Sequence, residues 1–187
     1  EANWVDYVKG IADRLQAWGH DVGGVELVVA GGVPMGAGLA SSAALEVAVA
    51  GALDADHDLA VDEGLVRICW EAETEFVGVN CGMMDQYAAV HGESTGALFL
   101  DCRTMDHEVV SIPDGVEVIA TDTNVHHELV DSAYNDRVAT CESGVAYFDT
   151  VLEGSVQSLR DVPIDAFEAH QAAMPETVRK RVRHVLT

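Results

Sequence analysis

The chain has 187 residues, 49% of them apolar, and its 32 acidic residues outnumber ten basic ones to give a formal net charge of −22. This length can bury a sizeable core, and the apolar fraction argues against disorder. The negative charge excludes a protein that holds nucleic acid or an anionic membrane over a broad surface.

The basic residues are concentrated at one end: four of the ten lie in the last nine positions, and only two in the whole chain are lysines. An acidic, lysine-poor composition is typical of proteins that stay soluble in high salt, where repulsion between carboxylates is screened. We therefore expect a halophilic source, with an acidic protein from ordinary conditions as the alternative.

The cysteines and the apolar runs bear on the cellular location. Cys69, Cys81, Cys102 and Cys141 form no close pair of the kind found in zinc or redox sites, which predicts reduced thiols placed mostly in the core. No apolar run approaches the roughly 20 residues of a membrane helix. We expect a cytoplasmic protein with no membrane partner and no nucleic-acid partner.

The first half of the chain has mostly helical periodicity. Apolar residues recur at three- and four-residue intervals over 3–18 and 62–76, and small residues fill 41–53, which predicts three helices. A fourth helix is expected from Met84 to about Val90. Between the helices predicted at 3–18 and 41–53, residues 25–30 (VELVVA) are flanked by paired glycines and predict a strand.

From Gly96 the pattern changes to alternation and short runs, which predicts two or three adjacent strands at 96–101, 107–112 and 116–122. Residues 130–152 and 163–187 return to helical periodicity. Clustered strands and clustered helices favour an α+β fold over a doubly wound sheet. We place the domain boundary near Asp114.

A glycine-rich loop at Pro34–Ala44 (PMGAGLASSAA) carries the strongest chemical signal. Glycines at 36 and 38 let the backbone N–H groups turn inward, and a helix starting near Ser41 brings its positive end to the same place, a geometry that holds phosphate. The loop lacks the features of a Walker A loop, a dinucleotide fingerprint or a serine-hydrolase elbow. By itself the pattern is equally consistent with a tight turn followed by a serine N-cap.

The loop resembles the phosphate loop of the GHMP small-molecule kinases. Three further segments resemble the galactokinase branch of that family in the same order along the chain: Trp4–Gly10, Glu71–Gln86 with its Cys-Gly-Met-Met-Asp-Gln core, and Asp122–Tyr134. The resemblance implies an α+β fold of GHMP type. Residues 1–114 would form most of an N-terminal domain like domain 2 of ribosomal protein S5, and 115–187 would begin a ferredoxin-like C-terminal domain.

The resemblance also implies that the chain corresponds to about the middle half of a galactokinase. The family's arginine-containing segment that grips the sugar, and its late glycine-rich segment that closes the ATP pocket, have no counterpart here. The catalytic carboxylate would then lack the arginine that neutralises transferred charge. The isolated 187 residues are expected to be inactive if those parts are required.

The resemblance assigns roles to individual residues. Asp85 would be the catalytic base and would contact the sugar, because a hydroxyl that attacks a phosphoryl group needs a proton acceptor. Ser42 and Glu73 would hold Mg²⁺ with hard oxygens, and we expect the neighbouring Glu71 and Glu75 to be solvated. The sugar would also contact Cys81, Gly82 and Tyr134. ATP would contact Trp4, Pro34, Gly36, Ala37, Gly38, Leu39, Ala40, Ser41 and Ser42.

Some of these positions have plainer interpretations. From the pattern alone, Asp85 could be a helix N-cap and Trp4 a core residue. Ala40 replaces a serine found in many galactokinases, but its backbone N–H remains, so we expect phosphate binding to persist.

Taken together, the resemblance implies an ATP- and Mg²⁺-dependent kinase that phosphorylates the anomeric C1 hydroxyl of galactose by direct in-line transfer. Its partners would be the hexose and ATP alone, and the complete protein would be a monomer. Two alternatives remain open: a sugar- and ATP-binding regulator without turnover, and a GHMP kinase for another sugar such as N-acetylgalactosamine or arabinose.

Overall fold

The computed structural model describes residues 3–57, 59, 64–121, 133–152 and 154–187, with the side chains of 133 and 134 outside that description. The chain divides into two compact units, Glu1–Glu128 and Leu129–Thr187, which we call unit 1 and unit 2. The division lies further along the chain than the boundary predicted near Asp114. The assignment of 1–114 and 115–187 to two domains stays a prediction.

Unit 1 is built mainly from helices whose positions agree with the sequence periodicity. The predicted helices at 3–18, 41–53 and 84–90 are confirmed, and that at 62–76 is confirmed from Leu65, because 60–63 lie outside the described residues. The helix that begins at Leu65 changes to π-helical geometry at Ala72. The elements are α1 (Trp4–Ala17), α2 (Ser41–His57), α3 (Leu65–Glu71), a π-helix (Ala72–Val77) and α4 (Met84–His91).

The core of unit 1 joins α1, α2, α3 and the π-helix through the apolar faces that the spacing predicted. Gly10 lets α1 approach the π-helix closely, since a Cβ there would lie 3.3 Å from the Ala72 Cβ. A capping box between Asn3 and Asp6 starts α1. The buried cluster consists of Ile11, Leu15, Val22, Val49, Ala50, Leu53, Ile68, Cys69 and Ala72.

The strands of unit 1 form one antiparallel hairpin within the described residues. β1 (Gly96–Leu100) pairs with β2 (His107–Ser111), with Gly96 opposite Ser111 and Leu100 opposite His107. Gly96 is required because a Cβ there would collide with the Val110 carbonyl oxygen. These two predicted strands are confirmed.

The strand predicted at 25–30 is wrong, and of the two or three strands predicted from Gly96 onward the described residues form two, without the one at 116–122. Residues 25–30 and 116–121 form no ladder, and residue 122 lies outside the description. Their side chains are exposed instead: Val28 is 99% exposed and Ile119 is 80% exposed. An apolar, β-branched segment becomes a strand only when a neighbour accepts its backbone hydrogen bonds, and none of the described residues pairs with either segment.

Unit 2 is helical, as its periodicity predicted, but its last segment is interrupted. The predicted helix at 163–187 ends at His170 and begins again after Pro175, which cannot donate a helical hydrogen bond. The apolar core includes Phe148, Phe167 and Val182. The elements are α5 (Ala133–Val151), a 3₁₀ turn (Leu159–Asp161), α6 (Ile164–His170), a second 3₁₀ turn (Gln171–Ala173) and α7 (Glu176–Leu186).

All four cysteines are free, as predicted. Cys69 is buried in the core of unit 1, whereas Cys102 is exposed, so the expectation of mostly core positions holds only in part. Among the residues that the structure describes, no helix combines the length and apolar character needed to cross a membrane.

Candidate active site

The loop before α2 turns at three residues with positive φ: Gly36 at 71°, Gly38 at 73° and Ala40 at 55°. Glycine adopts this conformation freely, but for alanine it costs about 1–2 kcal/mol. A Cβ added at Gly38 would meet no heavy atom within 4 Å, so the loop backbone is open there. An open loop with a strained residue is the kind of segment that binds ligands.

The loop leads directly into the positive end of α2. The Ala40 carbonyl accepts a hydrogen bond from the Ala44 N–H at 3.0 Å, which places Ala40 at the cap position. The interpretation of a serine N-cap is therefore wrong, because Ser41 and Ser42 already lie in the helix. An alanine side chain cannot accept a hydrogen bond from the first-turn N–H groups, which favours an anion as their partner.

A buried amide connects three helices of unit 1. Gln86 Nε2 on α4 donates to Glu46 Oε2 on α2 at 3.0 Å and to Glu73 Oε2 on the π-helix at 2.6 Å. All three side chains are buried. We call this set of three residues the brace.

The brace joins the three elements that carry Ser42, Glu73 and Asp85. Ser42 is one helical turn before Glu46 and so lies on the same face of α2. Glu73 is itself part of the brace, and Asp85 directly precedes Gln86. The hydroxyl, the carboxylate and the candidate base therefore come from three elements that one hydrogen-bonded group joins.

The brace is electrostatically unusual because it buries two carboxyl groups around one neutral amide. Burial, with a smaller contribution from Glu73, raises the pKa of Glu46 to about 8. At neutral pH this carboxyl group therefore holds a proton most of the time, which avoids two negative charges side by side in the interior.

Asp85 lies in the first turn of α4 with its side chain exposed. The positive end of a helix is a favourable place for a carboxylate, and the exposure leaves the group accessible to a substrate. Asp85 does not act as the N-cap, because Met83 holds that position and Asp85 is inside the helix.

Cys81 and Gly82, predicted to line the sugar, precede α4. The Cys81 thiol donates a hydrogen bond to Glu73 Oε2 at 3.4 Å, and the backbone carbonyl of Cys81 accepts one from Trp70 Nε1 at 2.8 Å. Burial and the nearby Glu73 raise the pKa of Cys81 to about 12, so the group is a neutral donor. Gly82 is exposed, and a Cβ there would meet nothing within 4 Å.

The three clustered glutamates have three different environments. Glu73 belongs to the brace, and Glu75 is exposed and pairs with Arg14 at 2.6 Å. Glu71 is buried, contrary to the prediction that it is solvated, and accepts hydrogen bonds from Trp18 and Arg67 at 2.8 and 2.7 Å. Burial raises the pKa of Glu71, but these hydrogen bonds outweigh it and hold that pKa below its usual range.

Two further predicted contacts, Trp4 with adenine and Tyr134 with the sugar, stay predictions. Trp4 begins α1 and is 57% exposed, which excludes the interpretation as a core residue and leaves its role toward adenine a prediction. The side chain of Tyr134 lies outside the described residues, as does most of the predicted 122–134 segment.

The sequence reasoning missed Glu46 and Gln86. A signal existed for Glu46, since it is the only charged residue in the apolar run at 43–53, and a lone charge in a buried helix needs a partner. Gln86 carried no comparable signal, because its partners are 40 and 13 residues away along the chain.

The donors assigned to magnesium fit an ion that phosphates help to hold. Mg²⁺ in proteins uses one or two carboxylates together with substrate phosphates and water, and Ser42 with Glu73 is such a partial set. Within the described ranges, no three histidine, cysteine or acidic side chains are grouped to hold a metal by themselves. The protein side chains alone are therefore an incomplete shell.

Two comparisons with known proteins bear on this site. Residues 6–93 match the family model of the GHMP kinases N terminal domain. Residues 6–93 of this chain are therefore similar to a GHMP kinase N-terminal domain. A crystal structure of Lactococcus lactis galactokinase complexed with galactose matches 98% of this chain with a TM-score of 0.85 and 34% sequence identity. The match covers 48% of that protein's chain, so this chain spans about half its length.

The range 6–93 that matches the family model contains the whole loop, the brace and Asp85. The α+β fold of GHMP type is confirmed, since the helices and the small sheet match the galactokinase fold. Trp4 and Tyr134 lie outside the matched range of 6–93.

Proposed function

We propose that this chain supplies the phosphate loop and the catalytic base of an ATP-dependent sugar kinase acting on the C1 hydroxyl of galactose. The observation that carries the proposal is the brace, which joins the elements bearing Ser42, Glu73 and Asp85 beside an open, helix-capping loop. The family and the similarity to a galactokinase support the same reaction class.

The proposed reaction is a single in-line transfer. The C1 oxygen of the sugar forms a bond to the γ-phosphorus of ATP while the bond from that phosphorus to the β–γ bridging oxygen breaks, and ADP leaves with the electron pair. The hydroxyl proton passes to the Asp85 carboxylate. Because such transition states are loose, catalysis rests on alignment and charge stabilisation rather than on a covalent enzyme intermediate.

The loop residues would bind the polyphosphate through N–H groups at 36–42 and the positive end of α2. Ser42 and Glu73 would hold Mg²⁺, which when bound neutralises phosphate charge. Cys81, Gly82 and Tyr134 would contact the sugar, and Trp4 the adenine. We propose that the protein is a monomer whose partners are these small molecules.

A sugar panel tests the proposed reaction. The protein expressed from its complete reading frame is incubated with ATP, Mg²⁺ and galactose, N-acetylgalactosamine or arabinose, and products are identified by phosphorus NMR. We expect galactose 1-phosphate. Phosphorylation of another sugar alone would reassign the substrate, and ATP binding without transfer would support a regulator.

Two glycines with positive φ, Gly38 in the loop and Gly115 outside it, provide a test of the role of the loop. Gly38→Ala and Gly115→Ala both place a methyl group at positive φ in open space, so both cost about 1–2 kcal/mol of stability. Only Gly38→Ala adds the methyl where the phosphates would lie. We expect ATP affinity to fall about 10- to 100-fold, the equivalent of one or two lost hydrogen bonds to charged groups. Equal ATP affinity in the two variants would remove the loop from the proposal.

A further inference from the structure

The side-chain amide of Gln86 donates two hydrogen bonds, as many as its two N–H hydrogens allow. A primary amide has two N–H hydrogens, and here one points to Glu46 Oε2 and the other to Glu73 Oε2, at 3.0 and 2.6 Å. The opposite orientation of the amide would place its oxygen against the Glu73 carboxylate at 2.6 Å, so the hydrogen-bonding pattern favours this orientation. Gln86 and Glu46 are 0% exposed, and Glu73 is 4% exposed.

Each member of the brace is attached to a different part of the candidate site. Glu46 fixes it to α2, the helix that begins at the loop. Glu73 is the carboxylate proposed for magnesium, and it stands on a π-helix, a geometry frequent at functional sites. Gln86 belongs to the first turn of α4, beside the exposed Asp85. Glu46 and Gln86 are fully buried and Asp85 is exposed, so these two members of the brace act through their neighbours rather than by touching substrate.

The brace is a costly way to hold three helices together. Among the described residues, the second oxygens of Glu46 and Gln86 (both Oε1) are buried and have no hydrogen-bond partner. Buried polar groups left in this state destabilise a fold, and apolar side chains of similar volume often serve stability as well or better. Stability alone therefore does not explain why these three residues stand here.

We infer that Gln86 is a positioning residue, anchored to α2 by Glu46, that orients the Glu73 carboxylate toward the magnesium ion and sets its place relative to Asp85. This inference rests on the proposed function. Partners that orient a metal-binding carboxylate matter for affinity nearly as much as the ligand itself, and their loss typically costs 10- to 100-fold in metal affinity.

The test separates orientation of Glu73 from general damage. In the double variant Glu46→Leu with Gln86→Leu, the donor and one buried carboxyl group are removed together, so no unpaired group is created at position 46. Equilibrium titration gives the Kd of ATP with and without Mg²⁺, using the protein from the complete reading frame. We expect the Mg²⁺-dependent gain in ATP affinity to fall about 10- to 100-fold, with unchanged affinity for metal-free ATP.

Glu71→Leu is the matched control. It removes a buried carboxylate two residues from Glu73 that bonds to Trp18 and Arg67 instead of to the brace. We expect it to lower the thermal unfolding temperature while the Mg²⁺-dependent gain persists. If the double variant does not fold, Gln86→Met provides the same test with a side chain of similar length that has no N–H to donate.

The outcomes distinguish this inference from the proposed function. A wild-type protein whose ATP affinity does not respond to Mg²⁺ contradicts both. A wild-type response that survives in the double variant overturns the positioning role and leaves the proposed function standing. Equal losses of affinity with and without Mg²⁺ indicate a merely structural role and also overturn the inference.

Discussion

The interiors of the two units differ in kind. In unit 2 the buried residues are apolar throughout the described part, as in the cluster around Phe148, Phe167 and Val182. Unit 1 has an apolar cluster as well, but it also contains the four buried polar or charged residues of the described chain: Glu46, Glu71, Glu73 and Gln86.

The buried polar residues of unit 1 need an explanation other than stable packing. Burying a polar group costs free energy unless it is hydrogen-bonded, and a partly satisfied network is worse for stability than an apolar core. Among the described residues, polar side chains that are buried as a whole occur only in the unit that bears the loop and Asp85, although one atom of unit 2, Arg181 Nε, is also buried without a partner. Local departures from the rules of stable packing are expected where a protein carries its function.

The units also differ in charge. Unit 1 has four basic residues against 23 acidic ones, a formal net charge of −19, whereas unit 2 has six against nine, a net charge of −3. Almost the whole negative charge of the chain therefore belongs to unit 1, and repulsion between carboxylates is concentrated there.

The largest effect is expected from two aspartates in equivalent positions of the two units. Asp85 and Asp165 are both exposed and lie in the first turn of a helix, α4 in unit 1 and α6 in unit 2. Asp85→Asn removes the proton acceptor, so we expect kcat of the sugar kinase reaction to fall about 10²- to 10⁴-fold. ATP affinity should not change, since the loop and α2 remain intact.

Asp165→Asn is the control for this comparison, because it removes the same charge from the same kind of helix position. We expect wild-type kcat and a small change in stability. Steady-state kinetics and ATP titration of both variants give the result. Equal kcat values in the two variants would mean that Asp85 is an ordinary helix-terminal aspartate.

The next largest effect is expected on stability, from substitutions of two glycines that lie within helices. A Cβ at Gly144 of α5 would lie 2.6 Å from Val182 Cγ2 and 3.2 Å from Leu159 Cδ2, whereas a Cβ at Gly51 of α2 would meet nothing within 4 Å. We expect Gly144→Ala to destabilise unit 2 by about 1–3 kcal/mol through overpacking. Gly51→Ala should instead stabilise α2 by about 0.5–1 kcal/mol.

Denaturant unfolding of the two glycine variants measures these changes. A stable Gly144→Ala protein would show that α5 and α7 can move apart, and the packing attributed to unit 2 would then be looser than the distances indicate.

The helices of both units were predictable because their periodicity is a local property. The loop was predictable for a similar reason, since glycines at 36 and 38 announce positive φ before a helix. Even the break before α7 has a local cause in Pro175. In each case the residues that determine the structure are neighbours in sequence.

Apart from the helix caps and the break before α7, the failures concern partners that are distant in sequence. Residues 25–30 have the composition of a strand, but no described segment pairs with them. Glu71, Glu73 and Glu75 look alike in the sequence. Their partners distinguish them, and these include Trp18, Gln86 and Arg14, none of which lies on the same element as the glutamate it contacts. The sequence did not predict the brace for the same reason. The resemblance to the GHMP kinases assigned roles to Asp85 and Glu73, which stay predictions, without indicating what holds the two residues.

Salt concentration tests the contrast in charge between the units. At 1 M salt the Debye length is about 3 Å, against about 10 Å at 0.1 M, so carboxylate repulsion is largely screened only in the concentrated solution. Lowering KCl from molar to 0.1 M should therefore speed amide hydrogen exchange in α1 and α2 by about tenfold, the equivalent of 1.4 kcal/mol. In α5 and α7 of unit 2 the rates should change far less, because the six basic residues there nearly balance the acidic ones.

Mass spectrometry of peptides from each unit reports both rates in one experiment. Equal acceleration in both units would attribute the salt response to weaker apolar burial in dilute salt, and no response in either would contradict a salt-adapted composition.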